Sequence, residues 1–229
     1  MRIEAVKVRR LYLEVASQIE NLIKNGEVDV GQRLPSERDL SDQFGVSRPT
    51  IREAMIALEI AGLVEIRTGS GIYVLGTQPK RSIQDVGPGA YEILEARRLI
   101  EPELAALAAD NAKPAQLDDL AKALADMECE QSASSVSEAA DKRFHSIIAD
   151  ASGNSALAAV VDWLWQMRMN SELSTVFHQR ARDAGVHPSL DQHKAVFTAI
   201  AAKESEAARS AMQQHLNAAL KDSKTLLDH

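Results

Sequence analysis

The chain has 229 residues and a mass of 25.0 kDa, is 45% hydrophobic and 26% charged, and contains 11 Gly, 7 Pro and a single cysteine. This composition suits a globular, helix-rich protein and excludes an internal disulfide, a cysteine-rich zinc module and, with no apolar run approaching about 18 residues, a membrane-spanning helix. The net charge of −7 is unevenly spread: residues 1–80 carry 11 Lys/Arg against 11 Asp/Glu, residues 81–229 carry 15 against 22, and all six histidines lie beyond residue 144. A nucleic-acid partner is therefore not excluded for the first part, and imidazole chemistry belongs to the second. The opening stretch MRIEAVKVRRLYLEVASQIE is charged and has no apolar centre of signal-peptide length, so a cytoplasmic location is expected.

In chain order, residues 9–25 place Leu11, Val15, Ile19, Leu22 and Ile23 at helical spacing, closed by Gly26. GQRLPSERDLSDQFGVSRPTIREAMIALEIAGL then predicts two helices. Ser36 and Asp39 form a capping pattern for the first, which Gly45 ends in a left-handed conformation. Ser47 caps the second, Pro49 sits in its first turn and Gly62 ends it. LVEIRTGSGIYVL alternates like a hairpin around Gly69–Gly71. These elements predict a winged helix-turn-helix over residues 1–76 (three helices plus a β-hairpin), followed by a Gly/Pro-containing linker over 77–89. Residues 90–229 read as an all-α antiparallel bundle with helices near 90–110, 115–131, 136–151, 155–177, 189–203 and 205–223, Pro102 being expected to kink or split the first. The fold class is mainly α.

In a helix-turn-helix the second helix enters the major groove with its N-terminal residues on base edges. Here that helix begins SRPTIRE, with Arg48 and Arg52 one turn apart on the expected outward face and Ile51, Met55 and Leu58 on the core face. A guanidinium can fork onto guanine or onto phosphate, and the hydroxyls of Ser47 and Thr50 suit phosphate. The plain alternative is that Arg48 and Arg52 form surface pairs with Glu53 or Glu59.

In the second part, DKRFHSIIAD sets Asp141 and His145 four apart, on the same helical side as Phe144 and Ile148. His193 shares a face with Val196, Phe197 and Ile200, and His215 with Ala208, Ala211, Met212 and Ala219. A lone inward histidine is usually a satisfied core residue. Asp141, His145, His193 and His215 together come from three helices, and such a nitrogen and oxygen set suits a divalent ion, zinc first and nickel or manganese next. Arg97 lies at the centre of the Ile93, Leu94, Ile100 and Leu104 stripe, where a guanidinium needs an anion: either Asp141 or Glu101, or the carboxylate of a bound effector. Trp163 and Trp165 read as core or dimer packing.

The ordered pattern LPSERDL…GVSRPTIREA…GLVE…GSGIYV resembles the DNA-binding half of GntR-superfamily transcription factors, and the helical remainder resembles the FadR-like branch with an FCD effector domain. The resemblance implies that Arg38, Arg48 and Arg52 contact operator DNA, with Ser47 and Thr50 alongside and the wing tip at Thr68 and Gly69 reaching the minor groove. Pro49 stands where many relatives have a hydroxyl residue. It also implies that Asp141, Phe144-His145, His193 and His215-Leu216 match the ligand pattern of metal-binding FCD domains. Arg97 would hold an effector carboxylate, with Gln166, Arg168, Asn170 and His178 as further candidates. GSGIYVL, LEARRLIE, WQMRMN and AMQQHL are similar to repressors of hexuronate utilisation. The expectation is a homodimeric, non-enzymatic DNA-binding repressor, released by a hexuronate or derived keto-acid at the metal. Alternatives are a regulator responding to another small carboxylate, one whose metal only holds the fold, and a metalloenzyme. No HExxH occurs to favour the last.

Overall fold

The computed structural model describes residues 10–67, 69–83, 87–132, 138–183, 185 and 189–225. Among these lie ten helices and one hairpin: α1 (Leu11–Lys24), α2 (Glu37–Phe44), α3 (Arg48–Ile60), β1 (Val64–Arg67), β2 (Gly71–Val74), α4 (Ala90–Asn111), α5 (Pro114–Ser132), α6 (Ala139–Ala151), α7 (Ser155–Asn170), α8 (Glu172–Asp183), α9 (Leu190–Ala201) and α10 (Ser205–Thr225). The mainly α class with an N-terminal winged helix-turn-helix is as the sequence predicts. The helix boundaries follow local chemistry. Ser36 Oγ accepts from Asp39 N at the start of α2, and Gly45 ends that helix at φ 66°. Ser47 Oγ accepts from Thr50 N at the start of α3, whose first turn holds Pro49.

The packing divides the chain into two compact units. The first comprises the residues up to Ala90 together with the segment that carries α8. Its core joins Tyr12, Val15 and Ile19 of α1, Leu40 of α2, Ile51, Met55 and Leu58 of α3, and Ile72 and Val74 of β2 to Leu173 and Phe177 of α8. The hairpin pairs Val64 with Val74 and Ile66 with Ile72. It also hydrogen-bonds the chain ahead of α2, through Leu34 N to Ile72 O (2.8 Å) and Val74 N to Gln32 O (3.0 Å). That pairing fixes the wing against the helix-turn-helix.

The second unit, Tyr91–Asn170 with Gly185–Asp222, contains α5, α6, α7, α9, α10 and nearly all of α4. Phe144 and Ile148 of α6, Val196 and Ile200 of α9, and Met212 and Leu216 of α10 share one cluster with Leu120 and Leu124 of α5. Trp165 of α7 packs in a smaller cluster with Leu104, Ala149 and Val161.

Two expectations are corrected. The single helix read over 155–177 is two, because Ser171 breaks it and starts α8, its carbonyl accepting from Thr175 N (2.9 Å) and its Oγ from Ser174 N (3.3 Å). Pro102 does not split α4, which runs unbroken from Ala90 to Asn111 with Pro102 buried inside it. Within the winged unit α8 packs on α3, where Arg180 of α8 pairs with Glu59. Phe177→Ala is accordingly expected to destabilise the winged unit by about 3 kcal/mol. Hydrogen exchange of α3 in a urea series measures this, and exchange in α3 identical to wild type would contradict the packing.

Candidate functional site

Two regions carry the chemistry. In the winged unit, the start of α3, the start of α2 and the wing enclose a cleft lined by Arg33, Arg38, Arg48 and Arg67, with Gly69, Ser70 and Gly71 on the wing side. Arg33 and Arg67 went unnoticed in the sequence because they precede and follow the helices that carry the periodic signal. Gly71 takes φ 120°, a conformation that L side chains rarely adopt, where the Arg33 side chain crosses the wing. Arg67 lies over the Tyr73 ring at 4.5 Å. Ser47 and Thr50 share a hydroxyl hydrogen bond of 2.8 Å at the tip of α3. Gly69 is exposed, and Thr68 lies outside the described residues.

Arg52 does not face outward as the helical wheel suggested. It is 1% exposed and makes a two-point contact with Glu37 of α2, through Nη2 to Oε2 (2.8 Å) and Nε to Oε1 (3.3 Å). Arg48 is partly exposed, with Nη2 4.0 Å from the same Glu37 carboxylate. Of the alternative partners, Glu53 is buried, and Glu59 accepts from Ile66 N (2.9 Å) and pairs with Arg180.

In the helical unit, α6, α9 and α10 bring Asp141, His145, His193 and His215 together, all buried, with one ligand-capable atom from each within 4.8 Å of the others. Each imidazole is anchored at Nδ1. His193 Nδ1 donates to the carbonyl of Ser189 (2.8 Å), the residue that caps α9. His215 Nδ1 lies 3.2 Å from Gln192 Oε1, and His145 Nδ1 lies 2.5 Å from Glu101 Oε2 on α4. The Nε2 atoms are left for the centre. Asp141 Oδ1 stands 2.9 Å from His193 Nε2 and 3.3 Å from His145 Nε2.

The two Asp141–histidine spacings are those of donors that share an ion. Two atoms each ~2.1 Å from one divalent metal stand ~3.0 Å apart at right angles and ~3.4 Å apart at the tetrahedral angle. His145 adds an independent sign, because its buried Nε2 has no aligned hydrogen bond although Asp141 Oδ1 stands 3.3 Å away. Such a group is costly to bury unless a further partner binds it. Acceptors at Nδ1 are also the usual outer support of metal-bound histidines.

The charge states are mixed: burial opposes it, but Glu101 and Asp141 hold the His145 imidazole above its ordinary value, while Asp141 and His215 lie in the form an ion requires. Burial would raise the Asp141 carboxyl, but the His145 and His193 imidazoles beside it hold it well below the usual carboxylate range. Burial opposes ionisation of Glu101 too, yet Arg97 and His145 bring its carboxyl down to about 2. Burial, reinforced by His193 and His145, pushes the His215 imidazole well below its ordinary value, so it is neutral and ready to donate a lone pair.

Two guanidinia flank the cluster. Arg97 is 2% exposed and bonds Glu101 (Nε to Oε1, 2.7 Å), the alternative of an internal counter-charge. Arg168 bonds Glu138 (2.7 Å), lies 3.7 Å from Asp141 Oδ2 through Nη1, and has a buried Nε without a hydrogen bond. Both guanidinia lie over the Trp165 ring, at 4.3 and 4.5 Å, and that ring is 5.7 Å from His145. Trp165 is thus core packing and a wall of the cluster at once, while Trp163 is half exposed.

The other effector candidates are not brought together with these. Gln166 and Asn170 are exposed, Gln166 bonding Asp162 (2.6 Å), and His178 belongs to α8 in the winged unit. Glu138, Gln192 and Ser189 had no sequence signal, since each acts through a partner far along the chain or through its backbone.

Comparison with known proteins agrees with this layout. Residues 11–74 match the family described as bacterial regulatory proteins, gntR family, and residues 92–218 match the FCD domain. The chain is 38% identical over 223 residues to the Uxu operon transcriptional regulator of Escherichia coli (strain K12), covering 93% of this chain and 86% of that protein. It is 35% identical over 220 residues to the Exu regulon transcriptional regulator of the same strain, covering 93% and 84%. A solved structure of Streptococcus agalactiae GntR is 28% identical and covers 92% of this chain and 99% of its own, with a TM-score of 0.49. The chain belongs to the gntR family of bacterial regulatory proteins, in the branch with an FCD domain, and is a DNA-binding transcriptional regulator, not an enzyme.

Proposed function

We propose that this regulator is a homodimeric repressor that leaves its operator when a sugar acid, a hexuronate or its derived keto-acid, binds at a divalent ion held by Asp141, His145, His193 and His215. The observation that carries this reading is the convergence of four donor side chains from three helices beside two buried guanidinia. Zinc is the first choice for a borderline nitrogen and oxygen set, with nickel or manganese able to take the same ligands. When bound, the ion supplies open positions for the carboxylate and neighbouring hydroxyl or carbonyl of the acid. Arg97 and Arg168 supply the positive charge that a second carboxylate oxygen needs on leaving water. The hexuronate class is supported by the sequence likeness to repressors of hexuronate utilisation and by relatives named as Uxu and Exu regulators.

At the DNA end, Arg38 and Arg48 would read the major groove with Ser47, Thr50 and Gly69, a reading supported by the cleft that Arg38, Arg48 and Gly69 line together with Arg33 and Arg67. Arg52 acts as a brace between α2 and α3 through Glu37, so its contribution to DNA binding is indirect. Two such surfaces on a two-fold axis would read a short pseudo-palindrome in the cytoplasm, where the operator lies. Among the described residues no helix is long and apolar enough to cross a membrane. Release requires that the acid bind one arrangement of the winged units better than the other, and DNA then weakens the acid by the same factor.

Mobility-shift titration of the zinc-loaded protein on a selected operator tests the proposal. D-Glucuronate, D-galacturonate or one of their keto-acid products is expected to weaken DNA binding at least tenfold. Asp141→Ala should still bind DNA but lose this response, and unchanged affinity at saturating concentrations of every acid would contradict the proposal. Removing metal with a chelator is expected to lower the thermal midpoint of the protein by several degrees, since zinc at about 100 times its Kd adds about 2.7 kcal/mol, and added zinc restores it. At the groove, Arg48→Ala should cost about 1–3 kcal/mol of operator affinity and relax base preference, whereas Arg52→Met should register first as lost stability of the winged unit. A stable Arg52→Met protein with relaxed base preference would instead restore a reading role to Arg52.

A further inference from the structure

We propose that Glu101 is the positioning residue of the metal centre: from α4 it fixes the His145 ring of α6 so that Nε2 is presented to the ion, while its other oxygen holds Arg97. This rests on the metal reading above and names a residue outside the ligand set that makes the set competent.

The geometry is specific. Glu101 Oε2 is 2.5 Å from His145 Nδ1 and also accepts from Arg97 Nη2 (3.5 Å), and Oε1 is 2.7 Å from Arg97 Nε, so both carboxylate oxygens are engaged and neither is spare for coordination. All three side chains are buried. The Arg97 guanidinium is itself immobilised over Trp165, at 4.3 Å from the ring centroid, which fixes the carboxylate in turn. The three ligand imidazoles differ in what holds Nδ1: a backbone carbonyl for His193, a side-chain amide for His215 and a carboxylate for His145. A carboxylate at Nδ1 selects the tautomer with the lone pair on Nε2 and makes that nitrogen a stronger donor. Asp141 cannot set the ring by itself, because it approaches His145 only from the Nε2 side, at 3.3 Å. A mere counter-charge for Arg97 would have no reason to touch a ligand on another helix.

The experiment measures zinc affinity by competition with a chromophoric chelator for the full-length wild type, Glu101→Gln, and the double variant Arg97→Met/Glu101→Gln. The double variant removes both buried charges, so it guards against unfolding caused by an orphaned Arg97. Circular dichroism of each metal-free protein verifies the fold. Both variants are expected to bind zinc about 10- to 100-fold more weakly than wild type, and their cobalt(II) forms should show shifted visible bands, a change that loss of an ion pair remote from the metal would not produce. Wild-type zinc affinity and an unchanged cobalt spectrum in a folded variant would overturn the role of Glu101 and leave the metal reading intact. A wild type that binds no zinc, nickel or manganese would overturn both. Nitrogen-15 NMR of the zinc-loaded wild type needs no variant: a protonated Nδ1 and a metal-bound Nε2 on His145 are expected, and metal at Nδ1 would refute the assignment.

Discussion

A carboxylate and three imidazoles buried together cannot be left to themselves. Asp141, His145, His193 and His215 sit in a bundle interior whose other occupants are Phe144, Val196, Met212 and Leu216, and removing four polar side chains from water is tolerable only if each donor and acceptor is matched. The outer atoms are matched, at Ser189, Gln192 and Glu101. The inner atoms face one another, and Asp141 Oδ1 stands 2.9 Å from His193 Nε2 and 3.3 Å from His145 Nε2, spacings suited to a common ion. The helices of this unit are arranged to satisfy that constraint: α6, α9 and α10 each turn one histidine inward, α4 brings Glu101 and Arg97, and α7 brings Trp165 and Arg168.

The winged unit depends on a simpler version of the same rule. The buried pair of Arg52 and Glu37 spans α2 and α3, the two helices whose relative angle defines the DNA-reading surface, and it leaves Arg48 and Arg38 at the cleft. The chain also leaves the helical unit after Asn170, adds α8 to the core beneath α3, and returns at Gly185. The segment following α7, which bears Trp165 and Arg168, is therefore part of the DNA-binding unit itself. That connectivity gives the helix bearing Trp165 and Arg168 a covalent continuation into the winged unit.

Much of this was legible in the sequence because it is local. Ser36, Gly45, Ser47 and Pro49 announce their helix ends within three or four residues, and the helical wheel alone turned Asp141, His145, His193 and His215 to apolar faces. What was not legible depends on partners far along the chain. Arg52 looked exposed because Glu37, fifteen residues earlier, supplies the charge that allows its burial. Glu101 looked like a routine partner for Arg97 at helical spacing, whereas its contact with His145 crosses from α4 to α6. Ser171 lies in a stretch that was read as one helix over 155–177, which hid both the break before α8 and its packing with Ile51 and Met55.

The central claim is that these four side chains hold one metal ion. X-ray absorption at the metal edge, on protein purified without chelator and with metal content measured, tests it most directly. The account predicts one divalent ion per chain, with a first shell of nitrogen and oxygen at about 2.0–2.2 Å and the outer-shell scattering of about three imidazoles. A substoichiometric ion, or a shell without imidazole, would contradict it.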